Sequence, residues 1–414
     1  MDIGIDISPL QSGHRVRGIG SYARGLLSGL AQLDTDDRYL LYYWKGLSLD
    51  VDRDAMPRNA VWMGVPYLRM GRASALVAQQ LLMLPGLILR RPDLFHQLGI
   101  VADPSAGGLP WALLDRSVAT VHDLIPLVYP DRFLRGKRLR SAVYALMLRG
   151  VCRCRRVVAV SMVTEQDLVR LIGLPRDRVG VVPLAVNPSL MRCLSSPSPH
   201  EDVPGLPGCY VLTVAGDYPN KNLSTLLLAF RRLCAHGQSV DLVIVGPPGP
   251  SVASFRQSCP AEAARLHVYR RLTDAQLAAV YRAATLVVVP SEYEGFGLPV
   301  LEAWAAGRPV VAADAASLPE VCLDAAMMVP PHDAVAMAEA IESLVKDPGL
   351  ADTFRRRGAE RLQAFSWQRT AEATYEVYRR AVRGGSREVR GKGPISDGSQ
   401  AVVTEEQPTR DVGR

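Results

Sequence analysis

The sequence predicts an α/β protein built as two domains, and three observations predict it. Its 414 residues suffice for two α/β domains of ordinary size and a tail. Short β-branched runs, such as T-L-V-V-V at 285–289, are continuously apolar, as strands buried in a parallel sheet are. Each run leads through a polar or glycine-bearing loop into a helical stretch, the alternation of βαβ units.

Composition narrows the class. The chain is 48% hydrophobic and 21% charged, as a globular enzyme is. A formal net charge of +7 suits anionic ligands or an anionic membrane surface, and equally simple solubility. Seven scattered cysteines without a C-x-x-C pair fit reduced thiols in a cytosol. The opening M-D-I-G-I-D is acidic and strand-like rather than a signal peptide. The longest apolar stretch, residues 75–89, is interrupted by Gln79, Gln80 and Pro85, and reads as a helix and loop rather than a membrane span.

In chain order, residues 2–7 form a first strand, followed by a loop and a helix over 22–33. Gly18-Ile19-Gly20 stands just before that helix, where bare backbone can approach a diphosphate, or simply turn. It is not the dinucleotide fingerprint, because Ala23 occupies the third glycine position. Asp34-Thr35-Asp36 matches the D-x-D of metal-dependent transferases, but its setting between a helix and a strand marks a polar turn. Strands follow at 38–44, 61–65, 92–96 and 118–121. The last ends in His122-Asp123-Leu124, a polar pair at the edge where open α/β sheets bind ligands. Residues 132–156 are arginine-rich around an apolar core. A solvated amphipathic helix is the preferred interpretation over docking on an anionic membrane. A strand at 157–160 leads to Ser161, a plausible cap for the next helix.

Residues 181–188 read as an interdomain connection, and 194–208 as an irregular Pro- and Ser-rich loop. The second domain opens with a strand at 210–215 and the loop G-D-Y-P-N-K-N. Lys221 there either neutralises a diphosphate or is an ordinary exposed lysine. After the strand at 285–289 comes P-S-E-Y-E-G-F-G-L-P-V-L-E-A-W-A-A-G-R-P-V-V. Pro299 suits a first helical turn, and Gly307 a helix stop. Glu294 and Glu302, eight residues apart, flank Gly295 and Gly297, whose N–H groups lie bare near a helix N-terminus. Carboxylates that accept from hydroxyls, beside N–H groups facing an anion, suit a sugar diphosphate. Solvated surface glutamates are the alternative. Helices follow at 334–345, 350–365 and 367–382, and a disordered tail from 384.

The wording E-G-F-G-L-P-V-L-E resembles the E-x7-E signature of the large retaining glycosyltransferase family 4, whose fold is GT-B. The resemblance implies two Rossmann-like domains facing across a cleft: 1–185 for the acceptor, 186–365 for the nucleotide sugar. A helix at 366–383 crosses back to the first domain, and 384–414 is tail. By position, Glu294 would hold the donor sugar's hydroxyls and Glu302 the ribose, with Gly295, Phe296, Gly297 and Leu298 completing the donor site. Gly18 and Gly20 match a glycine-rich loop beside the donor phosphates. His122, in an H-D-L motif, would lie near the donor sugar, with His96 at a second family-like spot. Lys221 would be a phosphate ligand, and Glu320 resembles a position near the cleft. The family often has an arginine earlier in the Lys221 loop or just before it, where Gly216 or Asn220 stands. Arg270 replaces a common glycine near the base.

The implied reaction transfers a hexose or deoxyhexose from a nucleotide-diphosphate sugar to an acceptor hydroxyl, with retention and without a metal or cofactor. His122, Lys221 and Glu294 would act in catalysis. Donors would be GDP-mannose or a UDP- or dTDP-sugar; acceptors a saccharide, a lipid-linked saccharide or a small molecule, with no nucleic acid involved. The wording is nearest mannosyl- and rhamnosyl-type members that build polysaccharides or small-molecule glycosides. A non-catalytic sugar-nucleotide binder, and a GT-B phosphorylase or epimerase, are the alternatives. The expected site of action is cytoplasmic, with contact at the inner membrane surface through Arg132–Arg156 as an option.

Overall fold

A computed structural model describes residues 1–13, 18–49, 51–67, 90–99, 110–196 and 203–384. The apolar stretch 75–89, part of the loop 194–208 and the tail from 385 lie outside them.

The first lobe is a parallel sheet of β1 (Asp2–Asp6), β2 (Arg38–Lys45), β3 (Ala60–Pro66), β4 (Leu94–Gln97), β5 (Ser117–Val121), β6 (Arg156–Ala159) and β7 (Val179–Val181). Its order among the described residues is β3-β2-β1-β4-β5-β6-β7. Helix α1 (Gly18–Leu30) follows β1. After β5 come two single turns, α2 (Ile125–Val128) and α3 (Pro130–Phe133), then α4 (Arg138–Arg153). Helix α5 (Met162–Ile172) follows β6, and α6 (Pro188–Ser195) carries the chain towards the second lobe.

The second lobe repeats the architecture with β8 (Tyr210–Val214), β9 (Asp241–Val245), β10 (Leu266–Tyr269), β11 (Leu286–Val289), β12 (Val310–Ala313) and β13 (Met327–Val329). Its order is β10-β9-β8-β11-β12-β13, again all parallel. The connecting helices are α7 (Leu223–Ala235), α8 (Pro250–Ser258), α9 (Pro260–Ala263), α10 (Asp274–Ala283), α11 (Leu298–Ala305), α12 (Leu318–Cys322), α13 (Ala334–Lys346) and α14 (Pro348–Leu362). Strands such as Leu286–Val289 are buried at every residue, because helices cover both faces.

Strand order places the site. In the first sheet the chain moves outward from β1 to β3 and then returns to β4. In the second it moves outward from β8 to β10 and returns to β11. Adjacent connections therefore diverge at β1/β4 and at β8/β11, opening a crevice at the carboxyl ends of those strands. The β8/β11 crevice receives the loops that carry Lys221 and Glu294.

The last helix among the described residues, α15 (Trp367–Gly384), lies back across the first lobe. Gly25 and Gly29 of α1 make room for it. A Cβ at Gly25 would stand 2.0 Å from the Trp367 ring, and one at Gly29 2.2 Å from the Trp367 carbonyl oxygen. Trp367 Nε1 donates to Val186 O at 2.6 Å, and Thr370 Oγ1 to Pro183 O at 2.8 Å. The segment that leaves the first lobe is thus tied to the one that returns.

Two expectations need correction. Helix α1 starts at Gly18, not near Tyr22, so Gly18 and Gly20 belong to its first turn rather than to a preceding loop. Burial of Tyr22, which shares a hydrogen bond with Thr120 at 2.9 Å, and packing of Ile19 on Gly99 outweigh the roughly 1 kcal/mol helical cost of a glycine. The arginine-rich stretch is not one helix either. Gly136, at φ +73°, separates the short turns from α4.

Candidate active site

Two loops at the β8/β11 crevice are laced together by asparagines. Asn220 Nδ2 donates to Tyr293 O at 3.1 Å, while Glu292 N donates to Asn220 O at 3.0 Å. Asn222, left-handed at φ +50°, donates through Nδ2 to Pro290 O at 3.1 Å. Its own Oδ1 accepts from Thr225 Oγ1 at 2.7 Å. Ser317 Oγ sits within 2.9 Å of the carbonyl oxygens of both Glu294 and Phe296, clamping the second loop from α12's side. These bonds give Lys221 and Glu294 a common target. Lys221 Nζ lies 2.5 Å from Glu294 Oε1, which also accepts from Ser291 Oγ at 2.7 Å.

Asn220 stands where a second cation was expected. It is buried and occupied as the bracket between the loops, so an arginine side chain there would have to displace those bonds. Gly216 has no more space: an added Cβ would come within 2.6 Å of the Tyr218 ring.

Glu302, one turn into α11, accepts from Tyr281 Oη at 2.7 Å. Burial raises its carboxyl above the usual range; the Tyr281 hydrogen bond and the charge of Lys221 pull the other way. Gly297, at φ +110°, turns the chain into α11, where a Cβ would meet Leu318 at 2.8 Å. Phe296 points inward and packs edge-on against Phe365, ring centroids 5.8 Å apart. What Phe296 could offer a ligand is main chain.

The first lobe approaches through the turn after β5. Gly295 touches it so closely that a Cβ would lie 1.9 Å from the His122 carbonyl oxygen and 3.2 Å from Asp123 Cβ. Only glycine fits there. Lys221, Glu294, Gly295 and the His122-Asp123 turn are therefore one assembly, drawn from both lobes.

The two halves of this assembly fall within two family models. Residues 16–190 match "Glycosyltransferase Family 4", and residues 207–361 match "Glycosyl transferases group 1". The chain belongs to glycosyltransferase family 4. It is 26% identical over 415 residues to the serotype-specific mannosyltransferase WbdA of Escherichia coli, covering 92% of this chain and 48% of that one. It is 35% identical over 246 residues to a D-inositol 3-phosphate glycosyltransferase of Acidothermus cellulolyticus, covering 56% and 54%. The chain thus spans about half the length of these relatives. Among solved structures, sucrose-phosphate synthase of Thermosynechococcus elongatus superposes with a TM-score of 0.68 at 22% identity. That match covers 93% of this chain and 100% of the other, and the shared fold is GT-B.

Within this family 4 chain the remaining predicted positions are distributed unevenly. His122 Nε2 is 2.9 Å from Leu98 O, and its ring meets Tyr22 edge-on at 4.9 Å. A carbonyl can only accept, so Nε2 carries the proton and the lone pair of a neutral ring sits on Nδ1. Toward a hydroxyl, that nitrogen would accept. Gly18 faces the turn into α11, since a Cβ there would lie 3.9 Å from Leu298 Cδ1. Gly20 is buried inside α1's first turn.

His96 is not at the cleft surface. It is fully buried, with Nδ1 2.6 Å from Tyr378 Oη and Nε2 2.8 Å from Thr120 Oγ1. Burial, and secondarily the neighbouring His122, push its pKa down to about 3. It ties α15 to the sheet. Glu320 does not cap its own helix: its Oε2 accepts from the N–H of Met162, at the start of α5 in the other lobe. Arg270 is exposed.

Sequence reasoning gave Asp123 no role of its own. Burial raises its carboxyl, opposed by the Ile125 N–H and the charge of Lys221, while Glu294 adds to the rise. Its place beside His122 at a strand end was the available signal. For Asp167 and Ser317 no local pattern points to their distant partners, the Tyr293 hydroxyl and the carbonyls of Glu294 and Phe296, whereas Ser291 lies only three residues from its acceptor Glu294.

Proposed function

We propose that the chain transfers a hexose or deoxyhexose, with mannose favoured, from a nucleotide-diphosphate sugar to an acceptor hydroxyl, with retention. The observation that carries this is the Lys221–Glu294 contact at the β8/β11 crevice, set against a turn of the opposite lobe. Lys221 would stabilise the departing diphosphate, aided by N–H groups at the start of α11. Glu294 would accept from the sugar's hydroxyls and Glu302 from the ribose. His122 and Asp123 would present acceptors from the first lobe, which would hold the receiving hydroxyl. Contact between the lobes would exclude water, which otherwise hydrolyses the donor. The mannosyltransferase among its relatives supports mannose transfer in polysaccharide assembly.

No helix among the described residues is long and apolar enough to cross a membrane. Peripheral contact, if made from the cytosol, would use exposed Lys137, Arg138, Leu139, Arg140, Leu146 and Arg149. Arg132 and Arg153 are engaged elsewhere, on Glu292 and on the Trp111 ring. Binding to anionic but not neutral vesicles, abolished by reversing those charges, would support it.

The functional test is turnover of GDP-mannose, UDP-sugars and dTDP-sugars with a panel of hydroxyl acceptors. Nucleoside diphosphate release that depends on the acceptor, lost in Glu294→Ala and Lys221→Ala, is the expected result. Transfer by Glu294→Ala at the wild-type rate would refute the site. Donor binding without any turnover would favour the non-catalytic binder.

A further inference from the structure

A set of contacts joins the lobes on the flank of the site, centred on a side chain that the proposed chemistry does not use. Asp167, on α5 of the first lobe, is 4% exposed. Its Oδ2 accepts from Tyr293 Oη of the second lobe at 2.5 Å, and its Oδ1 accepts from Arg170 Nη2 at 2.8 Å. Tyr293 is itself buried, with the Tyr129 ring of the first lobe edge-on at 6.2 Å. Tyr293 immediately precedes Glu294, and its carbonyl is the acceptor for Asn220 beside Lys221.

Neighbouring contacts run the same way. Glu320 and Gly295 of the second lobe take Met162 N at 3.0 Å and Thr164 Oγ1 at 3.4 Å, both from α5's first turn. Arg132 Nη1 lies 2.6 Å from Glu292 Oε1, whose other oxygen is 3.3 Å from His332 Nε2. The Arg132 pair is half-exposed and weak. The Tyr293–Asp167 bond joins two buried side chains, and a hydrogen bond to a buried carboxylate is the stronger kind. Removing either partner leaves the other buried and unsatisfied when the lobes touch, which disfavours that contact.

The geometry points to Asp167 as a positioning residue: through Tyr293 it orients Glu294 against Lys221 only when the lobes are together. A first-lobe helix thereby reports lobe contact to the second-lobe donor loop. This extends the proposed transfer reaction and rests on it for its kinetic consequences.

The test is a double-mutant cycle of Asp167→Ala and Tyr293→Phe, with Asp167→Asn as the conservative variant, since the Asn amide oxygen can still accept from Tyr293. Three measurements are made. The first is the unfolding midpoint in urea without substrate. The second is the radius of gyration in solution. The third is the partition of GDP-mannose, or whichever donor the wild type turns over, between transfer and hydrolysis. Asp167→Ala and Tyr293→Phe are each expected to lower kcat/KM for donor about tenfold, raise the hydrolysed fraction and enlarge the radius. The double variant should be no worse than either single one, and Asp167→Asn should recover most of the loss. A packing role alone would lower stability without shifting partition or radius. Additive single effects, or an unchanged partition in Asp167→Ala, would overturn the assignment. A non-additive stability cycle with an enlarged radius, in a wild type that turns over no donor, rejects the transfer reaction and leaves the inter-lobe contact standing.

Discussion

Lys221 Nζ rests 2.5 Å from Glu294 Oε1, although the two are far apart in the chain and lie on loops after non-consecutive strands. Both side chains are largely withdrawn from water, 21% and 11% exposed. The pair couples the group proposed to meet the diphosphate with the group proposed to meet the sugar. Lys221→Ala should reduce transfer by roughly 100-fold or more, the scale of losing a preorganised cation or oxyanion donor. It should also leave Glu294 without its cation, so a Lys221→Ala/Glu294→Gln double variant should regain part of the lost stability. Single-turnover kinetics and urea unfolding of the wild type and these two variants check this.

Gly295 meets His122 O with no room for a side chain. Gly295→Ala should separate the lobes at that point while leaving each core intact. Displacement of reacting groups by about 1 Å costs on the order of 100-fold in rate, so a fall of that size in kcat/KM is expected. Far-ultraviolet circular dichroism should be unchanged. Wild-type activity in this variant would show that the contact is dispensable.

His96 makes stability acid-sensitive. Its pKa is about 3 when folded, against 6.5 when unfolded, so the unfolded chain binds the extra proton in between. Stability is present above pH 6.5 and is lost as pH falls from 6.5 towards 3, by up to about 5 kcal/mol at about 1.4 kcal/mol per unit. His96→Gln should start lower at neutral pH and show a shallower acid slope in urea midpoints from pH 7 to 4. A parallel slope would refute it.

Asp6 works in the opposite sense. It is fully buried at the end of β1, where Ser8 N donates to Oδ1 at 2.9 Å. Among the described residues its Oδ2 meets the geometric criteria for no hydrogen bond. Burial raises its pKa from 3.8 to about 6. The folded state therefore binds the proton more tightly. The contribution is present below pH 3.8 and is lost as pH rises through 6, about 3 kcal/mol in all. Asp6→Asn keeps the Oδ1 acceptor for Ser8 N and removes the ionisable carboxyl. It should stabilise the protein at pH 7.5 and lose that advantage near pH 4, as thermal unfolding at the two pH values would reveal.

Much of the fold was legible because parallel strands buried on both faces must be continuously apolar. The runs at 285–289 and 210–215 correspond to Leu286–Val289 and Tyr210–Val214 within a residue or so. The start of α1 was misjudged because glycines signal loops locally, whereas Tyr22, Ile19 and the helix α15 laid over Gly25 and Gly29 favour a helix there. His96 and His122 have similar sequence settings, each at the end of an apolar run. Only the fold separates a buried tie to Tyr378 from a turn pressed against Gly295.

By itself the sequence determined the α/β class, the family 4 wording from Glu294 to Glu302, and the polar groups available at strand ends. These are local properties, set by periodicity, by backbone conformations that glycine and proline permit, and by side-chain chemistry. The tertiary structure decided which groups meet. It joined Lys221 to Glu294, made Asn220 a bracket, sent Glu320 to the opposite lobe, and bonded Tyr293 to Asp167. Such pairings depend on strand order and on contact between two lobes, and a hydrogen bond across that distance leaves no periodic trace in the chain.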